Sequence, residues 1–328
     1  MTPNTPESEY LKPISLVPQA KLNAWLDEFY GKRTKITFTQ ILRHRDFSYV
    51  ARIFIEDALP KSIIFKLVLP PWHIEQDIIE RILIPSIAHS PQIYMTAHYN
   101  RMTALFIEDF GPSNLLSHVN AKIASYLGES LAKFHRSYCY RVDEIAQLNI
   151  LNMLTSMEIP SFVENLIKNI ETYNLQINSN QLSLISNFAN NIANALAPEP
   201  ISLIHGDFYA ENIIYNSDKL HFIDWSWFTA ISFPLLDLAS IISHSPKNGQ
   251  LTEFKQNILE SYCFESGRFL SEIINLLPYA HALNKLLFLN WLILRKNMGI
   301  EGTTVGPVND LMVVTINEIN EIIQTTKE

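Results

Sequence analysis

The chain has 328 residues, 47% of them hydrophobic, two cysteines and a formal net charge of −8. That is enough apolar material for two lobes rather than one small module, while two cysteines exclude a disulfide framework or a cysteine-rich zinc site. The negative balance argues against a nucleic-acid backbone as partner, since such binders present a basic face.

The first residues, "MTPNTPESEYLKPISLVPQ", lack the basic start and continuous apolar run of a secretory signal. A cytoplasmic protein is therefore expected. Residues 1–33 read as a loose arm followed by a short helix around "QAKLNAWLDEFY". "TKITFTQIL", "FSYVARIFIE" and "KSIIFKLVL" are rich in β-branched and aromatic residues and are separated by the breaks "RHRD" and "DALP", which predicts a three-strand meander. "HIEQDIIERIL", residues 73–83, carries apolar side chains at 74, 78, 79, 82 and 83 and predicts a helix; "QIYMTAHYN" and "TALFIEDF" return to strand character. Residues 34–111 thus form a small sheet-based unit with one helix.

Residues 112–328 are mainly helical. Helices are predicted in "NAKIASYLGESLAKFHRSY", over 160–172 and 180–197, and in "PLLDLASIISH", "LTEFKQNILESYCFE", "ALNKLLFLNWLILRK" and "NDLMVVTINEINEIIQ". One hairpin interrupts them, "NIIYNSDKLHFIDW". The apolar run "LLFLNWLIL" is broken by Asn290, flanked by Lys285, Arg295 and Lys296, and too short to span a bilayer, so it reads as a buried core helix and no membrane association is expected. The charge is uneven: residues 1–111 hold 12 Lys+Arg and 12 Asp+Glu, residues 112–328 hold 13 and 21. An acidic second part suits Mg²⁺ and tilts toward a cationic small molecule, although ordinary solubilising charge gives the same balance.

The chemistry concentrates in "LIHGDFYAENIIYNSDKLHFIDW", residues 203–225. Asn212 and Asp224, delivered by the two ends of the hairpin, offer the hard oxygens that Mg²⁺ prefers, and such a metal would hold a nucleotide's phosphates. Asp207, five residues before Asn212, is placed to accept the proton of a substrate hydroxyl. A metal-dependent hydrolase using His205, Asp207 and Asp224 as ligands is a weaker alternative, because the other histidines are scattered singly.

"HGDFYAEN", "IDW" and "PLLDLA" together resemble the aminoglycoside phosphotransferase and choline kinase-like family, relatives of the protein kinases in which His-Gly-Asp-x4-Asn stands for His-Arg-Asp-x4-Asn. The resemblance implies an α+β, bilobal protein kinase-like fold and transfer of the γ-phosphoryl group of ATP or GTP to a hydroxyl of a small acceptor. It implies Asp207 as catalytic base and Mg²⁺ on Asn212 and Asp224. Lys66 in "IIFKLVL" would meet the α- and β-phosphates, with Glu80 on the next helix as its ion-pair partner, although Glu75 lies on the same segment. A lysine flanked by apolar residues needs such a partner. "FIEDFG" resembles the hinge between lobes, where backbone groups near Glu108 and Phe110 would hydrogen-bond the base. His205 would fix the loop, and Asp237 in "PLLDLA" would brace it.

The chain departs from the pattern in two respects, one of them Ser232, which stands two residues before Pro234 where the family commonly has glycine. No glycine occurs between Gly31 and Gly111, so a phosphate cover would rely on Ser48 and backbone N–H groups. A nucleotide-binding protein that has kept this fold and lost turnover is the remaining alternative.

Overall fold

The computed structural model describes residues 17–44, 48–70, 72–173, 175, 177–243, 250–300 and 306–326. Most of the expected N-terminal arm, the "RDF" tip at 45–47 and the end of "PLLDLASIISH" lie outside the described residues. The chain divides into two compact units, one of residues 12–118 with 209–229, the other of residues 119–208 with 230–328. Residues 209–229, which sequence reading kept with the helical part, group with the sheet.

The sheet unit holds β1 (Ile36–His44), β2 (Ser48–Ile55), β3 (Ser62–Val68), β4 (Ile93–Tyr99) and β5 (Met102–Glu108). All neighbours are antiparallel, in the order β1-β2-β3-β5-β4. The first three strands form the predicted meander. β5 is buried on both faces through Ile107, as a central strand should be, whereas the edge strand β1 is mostly exposed and carries two register irregularities. Helix α1 (Gln19–Tyr30) covers one face: Leu22, Trp25 and Leu26 join Ile53, Phe65 and Phe106 in one cluster, with Trp25 edge-on to Phe106 at 6.1 Å. Gly31, at φ 62°, ends that helix in the left-handed conformation.

The expected helix over 73–83 is not a regular one. It opens with a 3₁₀ turn (Trp72–Ile74), passes through one α turn, α2 (Glu75–Asp77), and closes as a π-helix (Ile78–Ile82), where the Leu83 N–H reaches back five residues to the Ile78 carbonyl at 3.0 Å. Ile78, Ile79 and Ile82 are buried beneath it. A short helix α3 (Pro85–Ala88) leads to β4. The predicted hairpin is β8 (Ile213–Asn216) with β9 (Lys219–Phe222); Ser217 and Asp218, both at positive φ, make its two-residue turn. The hairpin is tied to the chain after β5: Tyr215 N–H donates to the Ser113 carbonyl at 3.0 Å and Asn216 Nδ2 to the Phe110 carbonyl at 2.9 Å.

The helical unit contains α4 (Ala121–Cys139), α5 (Val142–Gln147), α6 (Ile159–Glu171), α7 (Ser179–Leu196), α8 (Leu235–Ser243), α9 (Gln250–Ser266), α10 (Leu270–Asn297) and α11 (Val308–Thr326). Asn120 caps α4 by accepting the Ile123 N–H, and Asn178 with Gln181 forms a capping box on α7. The run 286–294 lies inside α10, with Leu286, Leu289, Leu292 and Ile293 buried. Among the described residues no helix is long and apolar enough to cross a membrane. Sequence reading missed a sheet of three short strands, β6 (Asn152–Met153), β10 (Ala230–Ser232) and β7 (Ser202–Ile204), in that order. Two or three residues carry no readable alternation.

Candidate active site

Within the sheet unit a groove of ≈ 420 Å³ runs between the strands and the hairpin segment, within the range of small-molecule sites. Val50 and Ile64 line it from the sheet and Ile214 and Ile223 from the hairpin segment, giving apolar walls for a flat ring. Lys66, Glu75, Asn212 and Asp224 line it as well.

The centre of this polar set is Asp224. Its backbone is left-handed, at φ 63°, a conformation that Asp tolerates better than most side chains. Lys66 Nζ donates to its Oδ1, and Arg43 Nη1 donates to its Oδ2 at 2.8 Å. Burial opposes ionisation of Asp224, but the charges of Lys66 and Arg43 outweigh it and hold the carboxyl well below the usual carboxylate range. Burial likewise disfavours the Lys66 ammonium, and the two carboxylates beside it, Asp224 and Glu75, more than compensate.

The lysine's helix partner is Glu75, with Oε2 2.5 Å from Nζ, and not Glu80. Glu80 is exposed and accepts from Gln76 at 3.1 Å. The reason is phase. In the α-helix that the sequence predicts, residues five apart point about 140° apart; the coil as folded likewise turns Glu75 inward with Ile78, Ile79 and Ile82 and leaves Glu80 exposed. Burial pushes the Glu75 carboxyl up to about 7, since Lys66 attracts it but is shared with Asp224, whose charge repels it.

The folded state therefore holds the Glu75 proton to higher pH than the unfolded chain does. The contribution of this carboxyl to stability is full below its ordinary value of 4.5 and is lost as pH rises through about 7. His89 and His221, whose values are lowered mainly by burial, act in the opposite direction. We therefore predict that the difference in urea-unfolding free energy between wild type and Glu75→Gln, in which the histidines cancel, falls between pH 4.5 and 7. The Glu80→Gln difference should stay flat and within about 0.5 kcal/mol of zero. A flat Glu75 difference would refute the assignment of this carboxyl.

The chain after β5 is fixed by a second buried pair. Arg52 Nε donates to Asp109 Oδ2 at 2.7 Å, and Asp109 Oδ1 accepts the Gly111 N–H at 2.9 Å, with Gly111 at φ 92°. Glu108 and Phe110 line the groove here. The Glu108 N–H is taken by the Gln92 carbonyl at 2.9 Å and the Phe110 carbonyl by Asn216. Phe110 also stacks on His221 at 3.7 Å, and burial depresses that imidazole to about 4, so it is neutral at ordinary pH. Ser48, expected in a phosphate cover, begins β2 opposite Val68 and is not among the described residues lining the groove. Arg43 and Arg52, which sequence reading passed over, are.

The helical unit holds the other half of the motif. His205, Gly206 and Asp207 follow β7, and Asp237, fully buried at the start of α8, accepts the His205 N–H on Oδ2 and the Gly206 N–H on Oδ1, each at 2.8 Å. Gly206 is left-handed, at φ 77°. His135 Nε2 lies 3.2 Å from Asp237 Oδ2, and its Nδ1 3.1 Å from the Tyr262 hydroxyl. Burial raises the Tyr262 value, so the phenol keeps its proton and donates to Nδ1, which leaves Nε2–H for the carboxylate. Asp207 is half-buried, and its N–H donates to His205 Nδ1 at 3.3 Å.

Residues 121–272 match the model of a phosphotransferase enzyme family. The fold of the chain is protein kinase-like, as two solved structures show. Over 94% of its chain, ethanolamine kinase of Plasmodium vivax superposes on 97% of this one with a TM-score of 0.66 at 11% identity. The GDP and kanamycin complex of APH(2")-IIIa superposes over 94% of this chain and 99% of that one, with a TM-score of 0.65 at 12% identity. In sequence, a 65-residue stretch is 32% identical to Protein LicA of Haemophilus influenzae; it covers 20% of this chain and 23% of LicA, so the match spans under a quarter of that curated relative.

The residues present fit a nucleotide and Mg²⁺. Asn212 and Asp224 supply oxygen donors on one groove, and Mg²⁺ held largely by phosphates needs only one or two protein ligands. Among the described residues no three His, Cys, Asp or Glu side chains cluster as an all-protein metal site.

Proposed function

We propose that this chain transfers the γ-phosphoryl group of ATP or GTP to the hydroxyl of a small acceptor. The observation that carries the reading is the set of Lys66, Glu75, Asn212 and Asp224 on one groove whose walls are aliphatic. The purine would lie between Val50 with Ile64 and Ile214 with Ile223. Lys66, oriented by Glu75, would bind the α- and β-phosphates. Asn212 and Asp224 would hold Mg²⁺, which neutralises charge on the phosphate oxygens when bound. Asp207 would take the proton of the acceptor hydroxyl as its oxygen bonds to the γ-phosphorus and the bond to the nucleoside diphosphate breaks. Asp237 would hold the loop that carries Asp207.

For the acceptor we propose an amine-bearing alcohol. The acid excess of residues 112–328 favours a cation, and two proteins of the same fold are an ethanolamine kinase and one bound to kanamycin.

The test is a melting-temperature measurement with ATP or GTP, with and without Mg²⁺, followed by phosphoryl transfer from labelled nucleotide across a panel of amino alcohols, aminoglycosides and neutral sugars. A Mg²⁺-dependent rise and transfer to an amine-bearing member are expected. A rise with no transfer to any member would identify a silent nucleotide-binding protein, and phosphoester hydrolysis with Zn²⁺ or Mn²⁺ alone would identify the hydrolase.

A further inference from the structure

Both oxygens of Asp224 are taken by cations, Lys66 on Oδ1 and Arg43 on Oδ2. The two cations are not equivalent. The Lys66 side chain is 9% exposed and also bound to Glu75, whereas the Arg43 side chain is 33% exposed and sits near the end of the edge strand β1. Mg²⁺ on Asp224 would be repelled by both cations, and Arg43 is the more exposed of the two. A triphosphate offers the guanidinium a replacement, because the arginine fork matches phosphate oxygens in a bidentate way that lysine does not. The sequence offers no glycine that would bring backbone N–H groups close to phosphate: none occurs between Gly31 and Gly111.

Resting on the nucleotide reading above, we propose that Arg43 is a polyphosphate-binding residue. It exchanges Asp224 for the β- and γ-phosphoryl oxygens and supplies from a side chain the contact that a glycine-rich loop supplies from the backbone. It lines the same groove as Lys66 and Asp224.

The test measures equilibrium binding of nucleoside tri-, di- and monophosphate with Mg²⁺, by displacement of a fluorescent nucleotide, for wild type, Arg43→Gln and Arg43→Lys. Circular dichroism melting would show that each variant is folded. Arg43→Gln should weaken triphosphate binding about 10- to 100-fold, as loss of charge-assisted hydrogen bonds does. It should leave the monophosphate within about twofold. Arg43→Lys should recover part of the loss, and keeps the test open should the glutamine variant fold poorly. Equal loss for all three nucleotides, or triphosphate binding unchanged or tighter in Arg43→Gln, would overturn the proposal and leave Arg43 as a mere counter-ion of Asp224. If wild type itself binds no nucleotide, the underlying reading fails and takes this one with it; if it binds and the variants match it, only the role of Arg43 falls.

Discussion

Asp207→Asn is expected to lower turnover by about 10²- to 10⁴-fold, the usual contribution of a positioned general base, while Mg²⁺-nucleotide affinity stays within about twofold. The substitution is nearly isosteric and removes the basic oxygen alone. The loop's anchors are elsewhere: Asp237 holds the backbone N–H groups of His205 and Gly206, and the N–H of residue 207 donates to His205 Nδ1 whatever its side chain. Steady-state turnover of a working acceptor, measured beside nucleotide titration, separates the two effects. A variant that turns over normally would remove Asp207 from the chemistry, and one that loses nucleotide binding equally would assign it a binding role.

The second large effect is on stability. At Gly128, in the middle of α4, an added Cβ would sit 2.3 Å from the Ile258 carbonyl oxygen and 3.0 Å from the Tyr262 nitrogen, both backbone atoms of α9. No side-chain rotation relieves a clash with backbone, so the two helices must separate. Overpacking in Gly128→Ala should therefore cost about 3 kcal/mol, the upper end of the usual range, and the net loss of about 2 kcal/mol should lower Tm by roughly 4–8 °C for a unit of this size. Any gain in helix propensity, about 1 kcal/mol for glycine to alanine, offsets only part of this. Separation would also move Tyr262, whose hydroxyl holds His135 and through it Asp237, so kcat should fall more than nucleotide affinity. An unchanged Tm in a calorimetric scan would show that α4 and α9 do not pack this closely.

Much of the fold was legible because it rests on local signals. The three-strand meander and the hairpin announce themselves by β-branched runs and a polar break, and the major helices by their periodicity. The His-Gly-Asp motif was legible because its spacing is short. What escaped depends on contacts between distant residues: Arg43 meets Asp224 across 181 positions and Arg52 meets Asp109 across 57, and neither arginine has a neighbour in sequence that marks it. Glu75 is a different case. The apolar positions 78, 79 and 82 were recognised, and projecting both glutamates onto that face would have chosen Glu75 over Glu80 without coordinates. β6, β7 and β10 are too short to carry a period, and among the described residues Arg43 lines the groove where Ser48 does not.

The widened coil at Ile78–Ile82 fits one residue more into its turn than an ordinary helix would. Deleting Gln76 or Asp77, which lie between Glu75 and the coil, would rotate the isoleucines by about 100° relative to the carboxylate, and either the oil or the charge would then face the wrong way. Length is thus constrained in this stretch more tightly than composition: relatives should exchange one aliphatic residue for another here freely, and gain or lose residues almost never.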